Sequence, residues 1–143
     1  MSLTRQAVTS VNDEPITRTP VDLYAFGTWD APRTPRIAGV NVKPGQQVDL
    51  VPGAHGMVDL TDPPQGASTF GDPDEAPLTG HYHRLPAGTP LPQGLDVVAD
   101  GMDVGGAFPP THYTMYPTES LSPDEFIRRF QGLPWEYSGK KRW

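Results

Sequence analysis

GHYHRLPAGTPLPQGLDVVADGMDVGGAFPPTHYTMYP, residues 80–117, is the stretch whose reading decides the fold. It holds three of the four histidines and the clearest strand signals in the chain. Residues 80–85 (GHYHRL) read as one short strand, 95–99 (LDVVA) as a second and 111–116 (THYTMY) as a third. Pro109, Pro110 and Pro117 bracket the third strand, where a missing amide donor marks a boundary. Side chains of an extended chain alternate between faces. His81, His83 and Leu85 therefore share one side of their strand, and His112, Thr114 and Tyr116 share one side of theirs. If these strands are neighbours, imidazoles and hydroxyls line one cleft.

Working outward, the composition sets the class. The chain has 143 residues, with 18 prolines and 15 glycines that interrupt it too often for long helices. The expectation is short strands joined by turns and irregular loops. A hydrophobic share of 36% supports a modest core in one domain rather than wholesale disorder. Net charge is −6, and the only basic cluster is the terminal run Lys140, Lys141 and Arg142, read as a solvated tail. Nucleic acid is not the expected partner, because phosphate backbones call for a basic stripe. There are no cysteines, which excludes disulfides, thiolate zinc sites and cysteine nucleophiles. No apolar run approaches a membrane span, and the N-terminus lacks the apolar core of a signal peptide. No membrane partner is expected. The protein is expected in the producer's cytoplasm, with any export following a route other than a classical signal.

Residues 1–20 read as a flexible lead-in and residues 21–143 as the folded domain. Residues 21–26 (VDLYAF) form the first credible strand, and 36–42 (RIAGVNV) a second short one. Apolar patches follow at 48–51 and 57–60, then a small strand at 66–70 (GASTF). Residues 71–77 are an acidic, proline-rich surface loop. Residues 86–92 (PAGTPLP) and 105–110 are loops, and Asp100-Gly101 is a turn signal. The one good helix comes late. Ser122 is its N-cap, Pro123 its first position and Glu125 the partner in a capping box. Phe126, Ile127 and Phe130 make its apolar stripe, and Gly132 and Pro134 stop it.

Several constellations bear on chemistry. His81 and His83 with His112 suit a metal ion, since imidazoles two apart on a strand point the same way. The favoured alternative is that His81 and His83 lie on a half-solvated sheet face, and no metal is expected. Ser68 and Thr69 are small hydroxyl residues able to bond a ligand. Tyr24, Tyr82, Tyr113 and Tyr116 are strand aromatics, more often core residues with a wet tip than stacking platforms. Asp72, Asp74 and Glu75 lack calcium-loop spacing. No phosphate-binding glycine loop or serine-hydrolase elbow is present.

GASTF at 66–70, RLPAGTPLPQGLDVV at 84–98, THYTMYP at 111–117 and SLSPDEF at 120–126 occur in an order that is itself informative. With them, the chain resembles the ADP-ribosyltransferase-like toxins exported by type VI secretion, and related bacterial and fungal domains. The likeness covers residues 21 to about 131. It implies an α+β fold: a single compact domain with a split β-sandwich core and few short helices, one near the C-terminus, with NAD bound in its cleft. It implies a toxin that cleaves the nicotinamide–ribose bond of NAD and passes ADP-ribose to a target in a recipient cell's cytoplasm, or to water. Carried onto this chain, the catalytic set is Ser68, His112 and Glu119, and the NAD-binding set is Tyr24, Ser68, Thr69 and Tyr113. An immunity or antitoxin protein is the implied partner, with the acidic loop at 72–75 as a place for it to dock. Ala25 stands where the family often carries an arginine, and Arg18, Arg33 and Arg36 are the candidates to replace it. The alternatives are a non-enzymatic β-rich module binding a ligand, metal or partner, and a degenerate transferase fold.

Overall fold

Alternation along the strands builds one sheet with two unlike faces. The computed structural model describes residues 16–101 and 110–143. Its strands are β1 (Leu23–Gly27), β2 (Ala67–Phe70), β3 (Gly80–Leu85), β4 (Leu95–Ala99), β5 (His112–Pro117) and β6 (Glu136–Lys141). They form a six-stranded sheet in the order β4-β5-β2-β1-β3-β6, with every neighbouring pair antiparallel. The one α-helix among the described residues, α1 (Pro123–Gln131), follows β5. The architecture is α+β. Among the described residues no helix is long and apolar enough to cross a membrane, and the loop expected at 105–110 lies largely outside them.

Leu23, Ala25, Ala67, Leu85, Leu95 and Met115 point to one face, where Phe126 and Phe130 of α1 cover them. Ile37, Leu50 and Val58, from the irregular stretch between β1 and β2, complete this core. Full burial of each phenylalanine stabilises by roughly 1.5–3 kcal/mol, which outweighs the weak propensity of a nine-residue helix. The start of α1 follows its sequence: Ser122 Oγ accepts from the Glu125 N–H at 3.1 Å, and Pro123 opens the first turn. The Glu125 carboxylate does not close the capping box. It turns outward to Arg128 and to Arg129 Nε, where the cations offer stronger charge-assisted bonds. The opposite face carries a smaller cluster of Phe26, Phe70 and Ala76, with Tyr82 against it.

β1 and β2 share a single register pair, Tyr24↔Phe70, and then diverge. The cause lies at Gly27. A Cβ there would meet Ala31 O and Arg33 N, both at 2.4 Å, so only glycine lets the chain fold back on itself. After that turn, the Arg33 N–H takes the Phe26 carbonyl at 2.9 Å. Backbone that would have continued the ladder to β2 is satisfied locally instead.

Two expectations are corrected, and the condition set for one shared histidine cleft is not met. Residues 36–42 do not form a strand; Ile37 makes only an isolated bridge to Leu50. The Asn41 side chain folds back to accept from the Ile37 N–H at 2.7 Å and donate to Pro35 O at 2.9 Å, which fixes a turn. The terminal basic run is only in part a solvated tail. Lys140 and Arg142 are exposed, but Lys140 and Lys141 close edge strand β6, and Lys141 Nζ donates to Ala76 O at 2.6 Å, Pro73 O at 3.0 Å and Asp74 O at 3.2 Å. Finally, β3 and β5 are not neighbours, since β2 and β1 lie between them. Of the lead-in read at 1–20, residues 1–15 lie outside the described residues, while Thr17 and Thr19 are hydrogen-bonded to the loop after β3.

Candidate functional site

β5 pairs with β2 in the register Ser68↔Thr114 and Phe70↔His112, so these four side chains share the face opposite α1. β4 pairs with β5 up to Ala99↔Tyr113, which sets Asp100, the next residue, beside the start of β5. The result is a hydrogen-bonded chain. His112 Nδ1 lies 2.7 Å from Asp100 Oδ1, and His112 Nε2 lies 3.0 Å from Ser68 Oγ. Thr114 Oγ1 donates to the second carboxylate oxygen, Asp100 Oδ2, at 2.5 Å. His112 is 1% exposed.

Donor and acceptor roles follow from the partners. A carboxylate only accepts, so the ring nitrogen facing Asp100 carries a proton. In the neutral imidazole the other nitrogen, Nε2, is then an acceptor, and Ser68 donates its hydroxyl proton to it. Such a pair is suited to general-base work, with the serine oxygen as the atom through which a proton is drawn.

Ser68 also lines a pocket of about 30 Å³ at the divergence of β1 and β2, with Ala25, Phe26, Arg33, Pro35 and Asp49 around it. This space suits water-sized occupants, so a larger ligand would lie across its mouth. Arg33 Nη1 bonds Asp49 Oδ2 at 3.2 Å, and the same oxygen accepts from the Arg36 N–H at 2.8 Å. Of the three arginines weighed as replacements at Ala25, Arg33 is the one lining this pocket.

A row of rings runs along the same face. Tyr24 meets Tyr82 at 5.9 Å between centroids, Tyr82 meets Phe26 at 5.5 Å, Phe26 meets Phe70 at 6.1 Å, and Phe70 meets His112 at 5.3 Å. Tyr24 thus stands at the far end of a row that finishes at His112. Burial, and next the charge of Asp22, pushes the Tyr24 hydroxyl above its ordinary pKa.

The other expected residues sit elsewhere. Thr69 is fully buried on the helix-covered side and donates to Tyr113 O at 3.1 Å. Tyr113 pairs with Thr69 and packs against the main core, facing away from His112. Glu119 lies beyond the far end of β5, beside Gly94 and Arg129, with roughly 17 Å of strand between that end and His112. His81 and His83 lie on the opposite face from His112, and each meets the Tyr137 ring. His83 Nε2 donates to Thr28 O at 2.8 Å. Among the described residues no group of three or more His, Asp or Glu side chains is placed to hold a metal.

Sequence reasoning missed Asp100, which reads as the first half of a turn dipeptide. The usable signal was its place in the alternation Asp96, Val98, Asp100, which puts it on one face. Missing was the register that carries it to His112. No protein-family model matches the chain, and no curated protein sequence matches it either.

Proposed function

We propose that the chain is an ADP-ribosyltransferase-like toxin domain that cleaves the nicotinamide–ribose bond of NAD and transfers ADP-ribose to a target or to water. The Ser68–His112 hydrogen bond carries this reading, because two distant residues named from the family likeness meet on one face. The divergence of β1 from β2 supports reading the sheet as a split sandwich with its cleft beside Ser68. Tyr24 and Tyr82, the half-buried rings of the row, provide flat surfaces against which a nicotinamide can lie, while Phe26, Phe70 and His112 are buried beneath. Arg33 provides a cation for the pyrophosphate.

Cleavage leaves a cationic ribose, which a nearby negative charge stabilises. Glu119 was the residue expected in that role. Asp49, lining the same pocket as Ser68, is the better placed carboxylate. In this reading the protein is held harmless in the producer's cytoplasm by an immunity partner, leaves by a non-classical route and acts in a recipient's cytoplasm.

The test is nicotinamide release from NAD by the purified chain. Wild type releases nicotinamide, and Ser68→Ala, melting like wild type, loses ~10²-fold or more of the rate. A wild-type protein that releases none overturns the reading. NAD binding without release would leave a degenerate transferase fold, the alternative that Ala25 favours.

A further inference from the structure

We propose that Asp100 is a positioning residue, which holds the His112 ring in the Nδ1–H form so that Nε2 can draw a proton through Ser68. This deepens the NAD-cleaving reading and rests on it for its kinetic arm alone.

The argument starts from the inventory of donors. Asp100 offers two acceptor oxygens and, ionised, no proton. One takes the Nδ1–H of His112 at 2.7 Å and the other takes the Thr114 hydroxyl at 2.5 Å. The Thr114 bond has its own consequence. It occupies Oδ2 and fixes the carboxylate plane, so that Oδ1 remains aimed at the ring. All three residues hang from paired strands: Thr114 and His112 are two apart on β5, and Asp100 follows β4 directly. The Gly101 N–H donates to His112 O at 3.2 Å, extending the pairing past Asp100. Placement by backbone ladders on both sides leaves the carboxylate little freedom to turn away.

The proton then has a defined path. A water oxygen attacks C1′ of the nicotinamide-bearing ribose as the C1′–N bond breaks, and the bonding pair leaves with neutral nicotinamide. The attacking water gives one proton to Ser68 Oγ while the serine proton moves to His112 Nε2. The imidazolium so formed faces the Asp100 carboxylate and returns its proton to solvent. NAD and water give ADP-ribose, nicotinamide and one proton. In the Nε2–H form of the ring the first transfer has no acceptor.

Asp100→Asn separates shape from charge. The amide keeps the size of the carboxylate. If its oxygen continues to accept from Thr114, its NH2 faces Nδ1, and the ring must shift its proton to Nε2. Nitrogen-15 NMR of the histidine rings reads this without any substrate. Wild-type His112 is expected to show a protonated Nδ1 and a bare Nε2, and Asp100→Asn the reverse. Nicotinamide release by that variant is expected to lose ~10²-fold or more in kcat while KM changes little. Thr114→Val, which spares the carboxylate, keeps the wild-type ring form. A wild-type ring protonated at Nε2 overturns the proposal even if Asp100→Asn does not fold. So does an Asp100→Asn protein with unaltered ring form, or one with reversed ring form and undiminished turnover. If wild type releases no nicotinamide, the functional reading falls, and the ring measurement still decides whether Asp100 sets the His112 tautomer.

Discussion

The Thr19 N–H donates to the Thr89 carbonyl at 2.9 Å, and the Thr89 N–H donates back to the Thr19 hydroxyl oxygen at 2.9 Å. The same hydroxyl donates to Pro86 O at 2.7 Å. Two segments about seventy residues apart in sequence are closed together by backbone bonds, among them Gly88 N–H to Thr19 O and Leu91 N–H to Thr17 O. The Thr19 side chain adds its two bonds to pin the proline-rich loop after β3 to the chain entering β1.

Thr19→Val keeps the shape and removes the hydroxyl. The Thr89 N–H retains only its weaker approach to Pro86 O at 3.2 Å. A loss of about 1–2 kcal/mol is expected, read as a lower urea midpoint with an unchanged slope. An unaltered midpoint would mean that solvent replaces both bonds at no cost.

Glu125 sets a pH dependence at α1. Hydrogen bonds from Arg129 first, and from Arg128, hold its carboxyl below the ordinary value of 4.5. A depressed folded pKa contributes stability that is complete above the ordinary glutamate range and lost as pH falls through the folded value. Glu125→Gln should therefore lower the melting temperature near neutrality and flatten its fall on the acid side. Parallel acid limbs for variant and wild type would remove Glu125 from this role.

Arg33 tests where the ligand lies. Its partner Asp49 keeps the Arg36 N–H when Arg33 is removed, so the fold is expected to survive Arg33→Ala. If the guanidinium holds a pyrophosphate, KM for NAD rises about tenfold with little change in kcat. Steady-state nicotinamide release measures both, and an unchanged KM places the phosphates elsewhere.

Legibility in the sequence followed the strength of local signals. The strands read at 80–85, 95–99 and 111–116 announced themselves through alternation and bracketing prolines, the last lying at 112–117 with Pro117 inside it, and α1 through Ser122, Pro123 and Gly132. β6 gave no such signal. EYSGKK is polar because an edge strand needs little apolar surface, and its anchor, Lys141 on three carbonyls, is a tertiary event. The reading of 36–42 as a strand failed because Asn41 satisfies its neighbours' backbone locally. At the site, Ser68 and His112 were nameable from the sequence, whereas Asp100 and the Arg33–Asp49 pair depend on strand register and on the turn after Gly27. Thr69 looked equivalent to Ser68 in GASTF, but adjacent strand residues face opposite ways, and only Ser68 faces His112.

The lone Tyr24↔Phe70 pair makes the sheet two leaves on a single rung. Within each leaf the stitching is dense: five register pairs join β1 to β3 and five join β3 to β6, while four join β2 to β5 and five join β4 to β5. Such a seam is where the molecule should breathe first, opening like a book along its spine while both covers stay intact. In native-state hydrogen exchange, amides at the seam should exchange through small openings, and those inside each leaf only through large ones. Ser68 and Arg33 both stand at that spine, so what the leaves admit when they part is set by how far one rung stretches.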